Sequence, residues 1–175
     1  MRKIIFAITI VVLISNYSCA LFCKNDKLSL PKQPYNGNEL RIDGYYYNIY
    51  YEQKIRTYFF YNDGTLLHDG AGHDFDKLDE YEQSINLKTA TEKRGKMQLL
   101  WGVYAIDGNV IKFERWYPDQ PCYPSYVREG IILNDTTFHI IKSYRSNGSE
   151  MSTENSVYHF KQFSPKPDST NSFIK

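Results

Sequence analysis

Two histidines and three aspartates fall within nine residues in the run His68-Asp69-Gly70-Ala71-Gly72-His73-Asp74-Phe75-Asp76, a set of donors that metal chemistry could use. Their spacing matches no zinc or calcium loop, so the run reads as a polar turn leading into a helix, and neither metal nor other cofactor is expected. The other two histidines, His139 and His159, sit in late strand patterns on the face opposite Phe138, Ile140, Tyr158 and Phe160. No serine occupies Gly-x-Ser-x-Gly, no glycine loop suits a phosphate, and no Cys-His pairing is suggested by position. Glu114 and Glu129 have Arg115 and Arg128 as neighbours, a pattern of cross-strand ion pairs on a sheet wall rather than of an acid-base pair. No catalytic residue is therefore assigned, and an enzyme is not expected.

The better candidates are aromatic. The chain carries 16 Tyr, 10 Phe and 2 Trp, and tyrosine suits strands and cavities that are apolar yet need a hydroxyl. Tyr46, Tyr58, Phe60, Trp101, Tyr104, Phe113, Phe138, Tyr158 and Phe160 are the candidate inner-face residues, either as ligand contacts or as a packed core.

These residues must be positioned by short strands. Eight β runs are expected, at residues 44–51, 55–61, 65–68, 99–106, 110–116, 126–133, 137–144 and 157–163, with turn signals at Asp63-Gly64, Asp107-Gly108 and Asn147-Gly148. In the fifth run Ile111 and Phe113 alternate with Lys112 and Glu114, the mark of a half-buried strand. Between the third and fourth runs, Phe75, Leu78, Tyr81 and Ile85 recur at helical spacing. One short helix over residues 76–85 is expected, followed by a mobile polar loop over residues 86–96. The fold class is all-β: an eight-stranded antiparallel up-and-down barrel, since sequential neighbours pair most simply and eight strands close around side chains or one small ligand.

The hairpin Trp101-Gly102-x-Tyr104-x-Ile106-x-Gly108-Asn109-x-Ile111-x-Phe113 resembles the lipocalin-like family of small exported bacterial barrels. The likeness extends in layout over residues 44–163, with Gly44-Tyr45-Tyr46 where true lipocalins carry Gly-x-Trp. It implies a β-barrel, and for its members often nothing more specific.

The N-terminus supplies an address. Met1-Arg2-Lys3 precedes an apolar run over residues 4–14, only 11 residues long, against the roughly 20 of a membrane-spanning helix. Residues 1–19 read as a signal peptide. Ser18-Cys19 resembles the lipobox of bacterial lipoproteins, making Cys19 the lipidation candidate and the membrane a partner through a lipid anchor. The alternative is Ser18-Cys19-Ala20 as an ordinary cleavage site, releasing a soluble periplasmic or secreted protein from Leu21. Residues 20–38 read as a flexible tether, 39–163 as the barrel domain, and 164–175 as a disordered tail. Cys23 and Cys122 could then pair in an oxidising compartment.

Formal charge is +1, or −1 once Arg2 and Lys3 leave with the signal, which gives no electrostatic case for nucleic acid. Three functions fit: an exported, lipid-anchored binding module for a small apolar or amphipathic ligand or a protein partner; a periplasmic inhibitor or immunity-type protein using the loop at residues 117–124; or a ligand-free structural envelope lipoprotein.

Overall fold

The computed structural model describes residues 24–119 and 122–175; the expected signal peptide, Cys19 and Cys23 lie outside the described residues. Eight antiparallel strands bond in sequential order and the first closes on the last. They are β1 (Gly44–Ile49), β2 (Lys54–Phe60), β3 (Thr65–Asp74), β4 (Trp101–Asp107), β5 (Val110–Trp116), β6 (Ser125–Asn134), β7 (Thr137–Arg145) and β8 (Ser152–Gln162). Closure removes the exposed strand edges that an open sheet would leave, and the all-β up-and-down barrel expected from the turn signals is the observed architecture.

Two helices, not one, join β3 to β4. α1 (Leu78–Ile85) buries Tyr81 and Ile85, four residues apart, against the outer wall. α2 (Lys88–Lys96) replaces the mobile loop expected there. Its only buried residue is Arg94, which donates to Asp69 Oδ2 at 2.8 Å and to the Ile85 carbonyl at 2.6 Å, while Trp101 Nε1 donates to the Arg94 carbonyl at 2.9 Å. Polar tertiary contacts hold α2, so its sequence shows no apolar period to read.

Both flanking segments also depart from expectation. Within the expected tether, residues 24–38 are a coil bonded to the wall. The fully buried Glu114 carboxylate accepts from Ser29 N at 2.8 Å and Leu30 N at 2.7 Å, and Trp116 Nε1 donates to the Asp26 carbonyl at 2.7 Å. Further on, Tyr35 and Leu40 enter the inner core and plug one end of the barrel. Gly64 in the β2–β3 turn has φ +84°, and a Cβ there would lie 2.1 Å from the Gln33 carbonyl oxygen; only glycine allows both the turn and the strap passing over it. The tail expected to be disordered is packed as well: Tyr61 Oη donates to the Pro167 carbonyl at 3.0 Å, Lys166 Nζ donates to the carbonyls of Ile42 and Phe60, and Ile174 joins the outer cluster. The physical reason is the outer wall itself, where Tyr45, Phe59, Tyr61, Trp101 and Trp116 need cover from water.

Candidate functional site

Alternation along the strands sorts the nine aromatic candidates. Tyr46, Tyr58, Phe60, Tyr104, Phe113, Phe138 and Tyr158 are buried inside the barrel, and Phe160 is half-buried against them. Trp101 is the correction. It belongs to the outer cluster beneath the helices, because it and Tyr104 are an odd number of residues apart in one regular strand and so point to opposite faces. Near the plugged end the rings fill the interior: Phe60 and Tyr104 stand 4.8 Å apart, and Phe138 stacks on Tyr158 at 4.9 Å. The hydroxyls there are satisfied by backbone, with Tyr46 Oη donating to the Asp135 carbonyl at 2.8 Å and Tyr104 Oη to the Tyr61 carbonyl at 2.9 Å.

The opposite end, where β2, β6 and β8 start and β5 finishes, has a different lining. Arg56, Arg115 and Arg128 project inward among Tyr58, Tyr117 and Tyr158. Arg128 is 9 % exposed; its Nε donates to Glu154 Oε1 at 2.9 Å and its Nη1 to Tyr58 Oη at 2.9 Å. Arg115 is 7 % exposed, and its Nη1 donates to the carbonyls of Leu99 and Trp116 at 3.2 and 3.1 Å. The Tyr117 ring lies between the two, with guanidinium carbons 3.9 Å (Arg115) and 5.3 Å (Arg128) from its centroid. Arg56 stacks on Tyr50 at 4.9 Å. Gly102 faces Arg115 across the β4–β5 ladder, where a Cβ would sit 2.1 Å from the Glu114 carbonyl oxygen and 2.9 Å from the Arg115 Cβ; its bareness lets the β5 backbone lie this close.

Three guanidiniums make this end strongly positive. Burial alone would raise the Tyr58 phenol, but Arg128, Arg115 and Arg56 outweigh it and bring it down to about 8. His68, whose Nδ1 lies 3.1 Å from the Thr57 carbonyl oxygen, is held neutral: burial and the neighbouring arginines push it well below the usual imidazole range. Glu154 is the carboxylate bonded to an arginine of this cluster. Among the described residues Arg115 Nε and Tyr117 Oη are buried without a hydrogen-bond partner, while the Tyr158 hydroxyl faces the Arg56 side chain. A cleft of about 380 Å³ opens onto this end, lined by Tyr117, Pro118, Asp119, Pro124, Tyr126, Arg128 and Ser143.

The other charged candidates are placed elsewhere. Glu129 does pair across the strands on the outer wall, but with Lys112 at 3.2 Å and Lys142 at 2.9 Å rather than with Arg128. Glu114 holds the N-terminal strap. In the His68–Asp76 run, His73 is exposed and packs on the Tyr81 ring, Asp69 binds Arg94, and Asp74 binds Lys54. Among the described residues no three His, Cys, Asp or Glu side chains converge to hold a metal. His139 lies on the outer face, 2.7 Å from Asn155.

The arginines were the residues sequence reasoning missed, yet the signal was present. Arg56 shares parity with Tyr58 and Phe60, and Arg115 with Ile111 and Phe113, so the period that placed the aromatics inside places these arginines inside too. Comparison with family models, with curated proteins and with solved structures returns no match.

Proposed function

We propose that this protein is an exported, lipid-anchored envelope protein whose lipocalin-like barrel is a binding module for a small apolar or amphipathic molecule, taken up at the arginine-bearing end. The observation that carries the reading is a buried Tyr117 Oη, unpartnered among the described residues, in the wall of a cleft of about 380 Å³, with the likewise unpartnered Arg115 Nε on the guanidinium stacked against that ring. Buried donors ordinarily find partners, and where the described residues supply none a ligand is the natural one. Prolines and tyrosines in the cleft wall suit an apolar body. Export draws support from the positively charged start and short apolar run, and from Cys122, which is disulfide-bonded, as suits an oxidising compartment. No helix of the described residues is long and apolar enough to cross a membrane; the attachment proposed is through Cys19.

Two measurements test this reading. Mass spectrometry of the processed protein should find a lipid on an N-terminal Cys19; an unmodified chain starting at Leu21 removes the anchor and leaves a soluble exported protein. A neutral environment-sensitive dye should bind saturably, and Tyr126→Trp, which crowds the cleft, should weaken that binding; absence of any saturable binding refutes the module.

A further inference from the structure

We infer that the Arg115–Arg128 edge of the barrel interior is a site for a small oxyanion, a carboxylate or phosphate group, whose compact body rests in the cleft beside Tyr117 and Pro118. This rests on the binding-module reading and names the chemistry of its ligand.

Charge balance is the first argument. Arg56, Arg115 and Arg128 bring three cations to one buried end, while Glu154 bonds to only one of them. Buried charge without a counter-charge is costly, and like charges gathered together add to that cost. A bound anion removes both penalties at once.

Donor geometry is the second. Arg115 Nη1 is fixed by two carbonyls and the guanidinium plane lies against the Tyr117 ring, so the plane cannot turn freely. Its Nε is nevertheless buried and has no hydrogen-bond partner among the described residues, nor has Tyr117 Oη. A guanidinium held this way presents a rigid forked edge, which matches the two oxygens of a carboxylate or phosphate.

Space is the third. The core beyond Phe113 and Tyr158 is packed with buried rings, whereas the cleft of about 380 Å³ holds a body the size of one ring. Asp119 also lines that cleft; its charge favours a singly charged carboxylate over a doubly charged phosphate.

Tyr58 provides the reporter. Its phenol sits at about 8 because three arginines face it; an anion that neutralises them should return the proton. The processed full chain is titrated at about pH 9 and constant ionic strength with sodium benzoate, inorganic phosphate and neutral benzamide, following the phenolate absorption that Tyr58→Phe removes. The expected result is a saturable loss of that absorption with benzoate, weaker with phosphate and absent with benzamide. Arg115→Lys, which keeps the charge and loses the fork, should weaken benzoate about tenfold. A stronger response to phosphate still supports the oxyanion site and changes its preferred ligand. Equal binding of benzamide and benzoate, or equal benzoate affinity in wild type and Arg115→Lys, overturns the inference while leaving a binding module of neutral preference. Failure of all three probes together with the neutral dye overturns the module itself; failure of the three with the dye still bound overturns the oxyanion site alone. The wild-type comparison of benzoate with benzamide decides even if a variant does not fold.

Discussion

At the end of the barrel sealed by Tyr35 and Leu40, Tyr46 and Tyr104 donate their hydroxyl protons to the carbonyls of Asp135 and Tyr61, whereas at the other end Arg115 Nε and Tyr117 Oη have no hydrogen-bond partner among the described residues. The same eight strands line both ends. What differs is what the inward positions carry: Phe60, Tyr104 and Phe138 at one end, Arg56, Arg115 and Arg128 at the other. Aromatic rings bury area and satisfy their own polar atoms, so the sealed end gains stability from every contact. Clustered cations in the same low-dielectric interior repel one another and demand partners. A chain that keeps them there gives up stability at one end of a barrel whose other end can hold the fold, which is the usual division between scaffold and site.

The sharpest way to break this comparison lies at its boundary. Phe113 is fully buried midway along the barrel, with ring centroids 4.9 Å from Tyr58 and 6.1 Å from Phe60. Phe113→Ala should destabilise by about 3–5 kcal/mol in thermal or denaturant melts, since its filled surroundings cannot collapse onto the void. A loss below about 1 kcal/mol would mean that the ring lines an open cavity and that the packed half is smaller than described.

A pH scan probes both ends together. In the folded chain Tyr58 loses its proton at about 8, before an ordinary phenol does near 10, so between about pH 8 and 10 the unfolded chain holds more protons there. Stability should therefore rise with pH across that window and be lost as pH falls back through about 8. Lys166, at the sealed end, is lowered to about 8 by burial and acts in the same direction. Above about 10 the sign reverses, because burial raises Tyr46 and Tyr104 and keeps them protonated in the fold after they would ionise in the unfolded chain. Denaturant midpoints across this range should show Tyr58→Phe removing a slope of at most about 1.4 kcal/mol per pH unit. If the Lys166→Met variant alone flattens the curve, the arginines do not act on Tyr58 as described.

Replacing a cation of the open end tests the cost of that end directly. Arg56→Met keeps the apolar bulk and removes one of three like charges, so its stability should stay within about 1 kcal/mol of wild type, on either side. A loss of several kcal/mol would show that Arg56 is a structural partner and that the fold depends on the open end no less than on the sealed one.

How far all this was legible follows from the kind of contact involved. The barrel was readable because turn residues at Asp63-Gly64 and Asp107-Gly108 and the alternation of Ile111, Lys112, Phe113 and Glu114 are local patterns. The inward arginines obey the same parity, although charged side chains on a strand ordinarily face water. Trp101 was misplaced for want of that parity rule applied strictly. The strap and α2 were not legible at all: Ser29 and Leu30 bind Glu114 through backbone N–H groups that every residue except proline possesses, and α2 is anchored through one arginine. Neither leaves a periodic mark in the sequence.

The smallest expected effect fixes the frame for the others. Lys112 is the residue before Phe113 on β5 and points outward, 41 % exposed along its side chain, 3.2 Å from a Glu129 carboxylate that Lys142 also holds at 2.9 Å. Removing it leaves Glu129 bonded to Lys142 and to the Tyr144 hydroxyl and opens no cavity, so Lys112→Ala should cost under about 0.5 kcal/mol. Because adjacent strand positions face opposite sides, the ratio between this loss and that of Phe113→Ala measures the register of β5 itself. The same register places Arg115 in the interior and Glu114 against the strap. Should Lys112→Ala prove the more damaging of the two in matched melts, the parity would be inverted, Arg115 would lie on the outer wall, and the contrast between the two ends would have no basis.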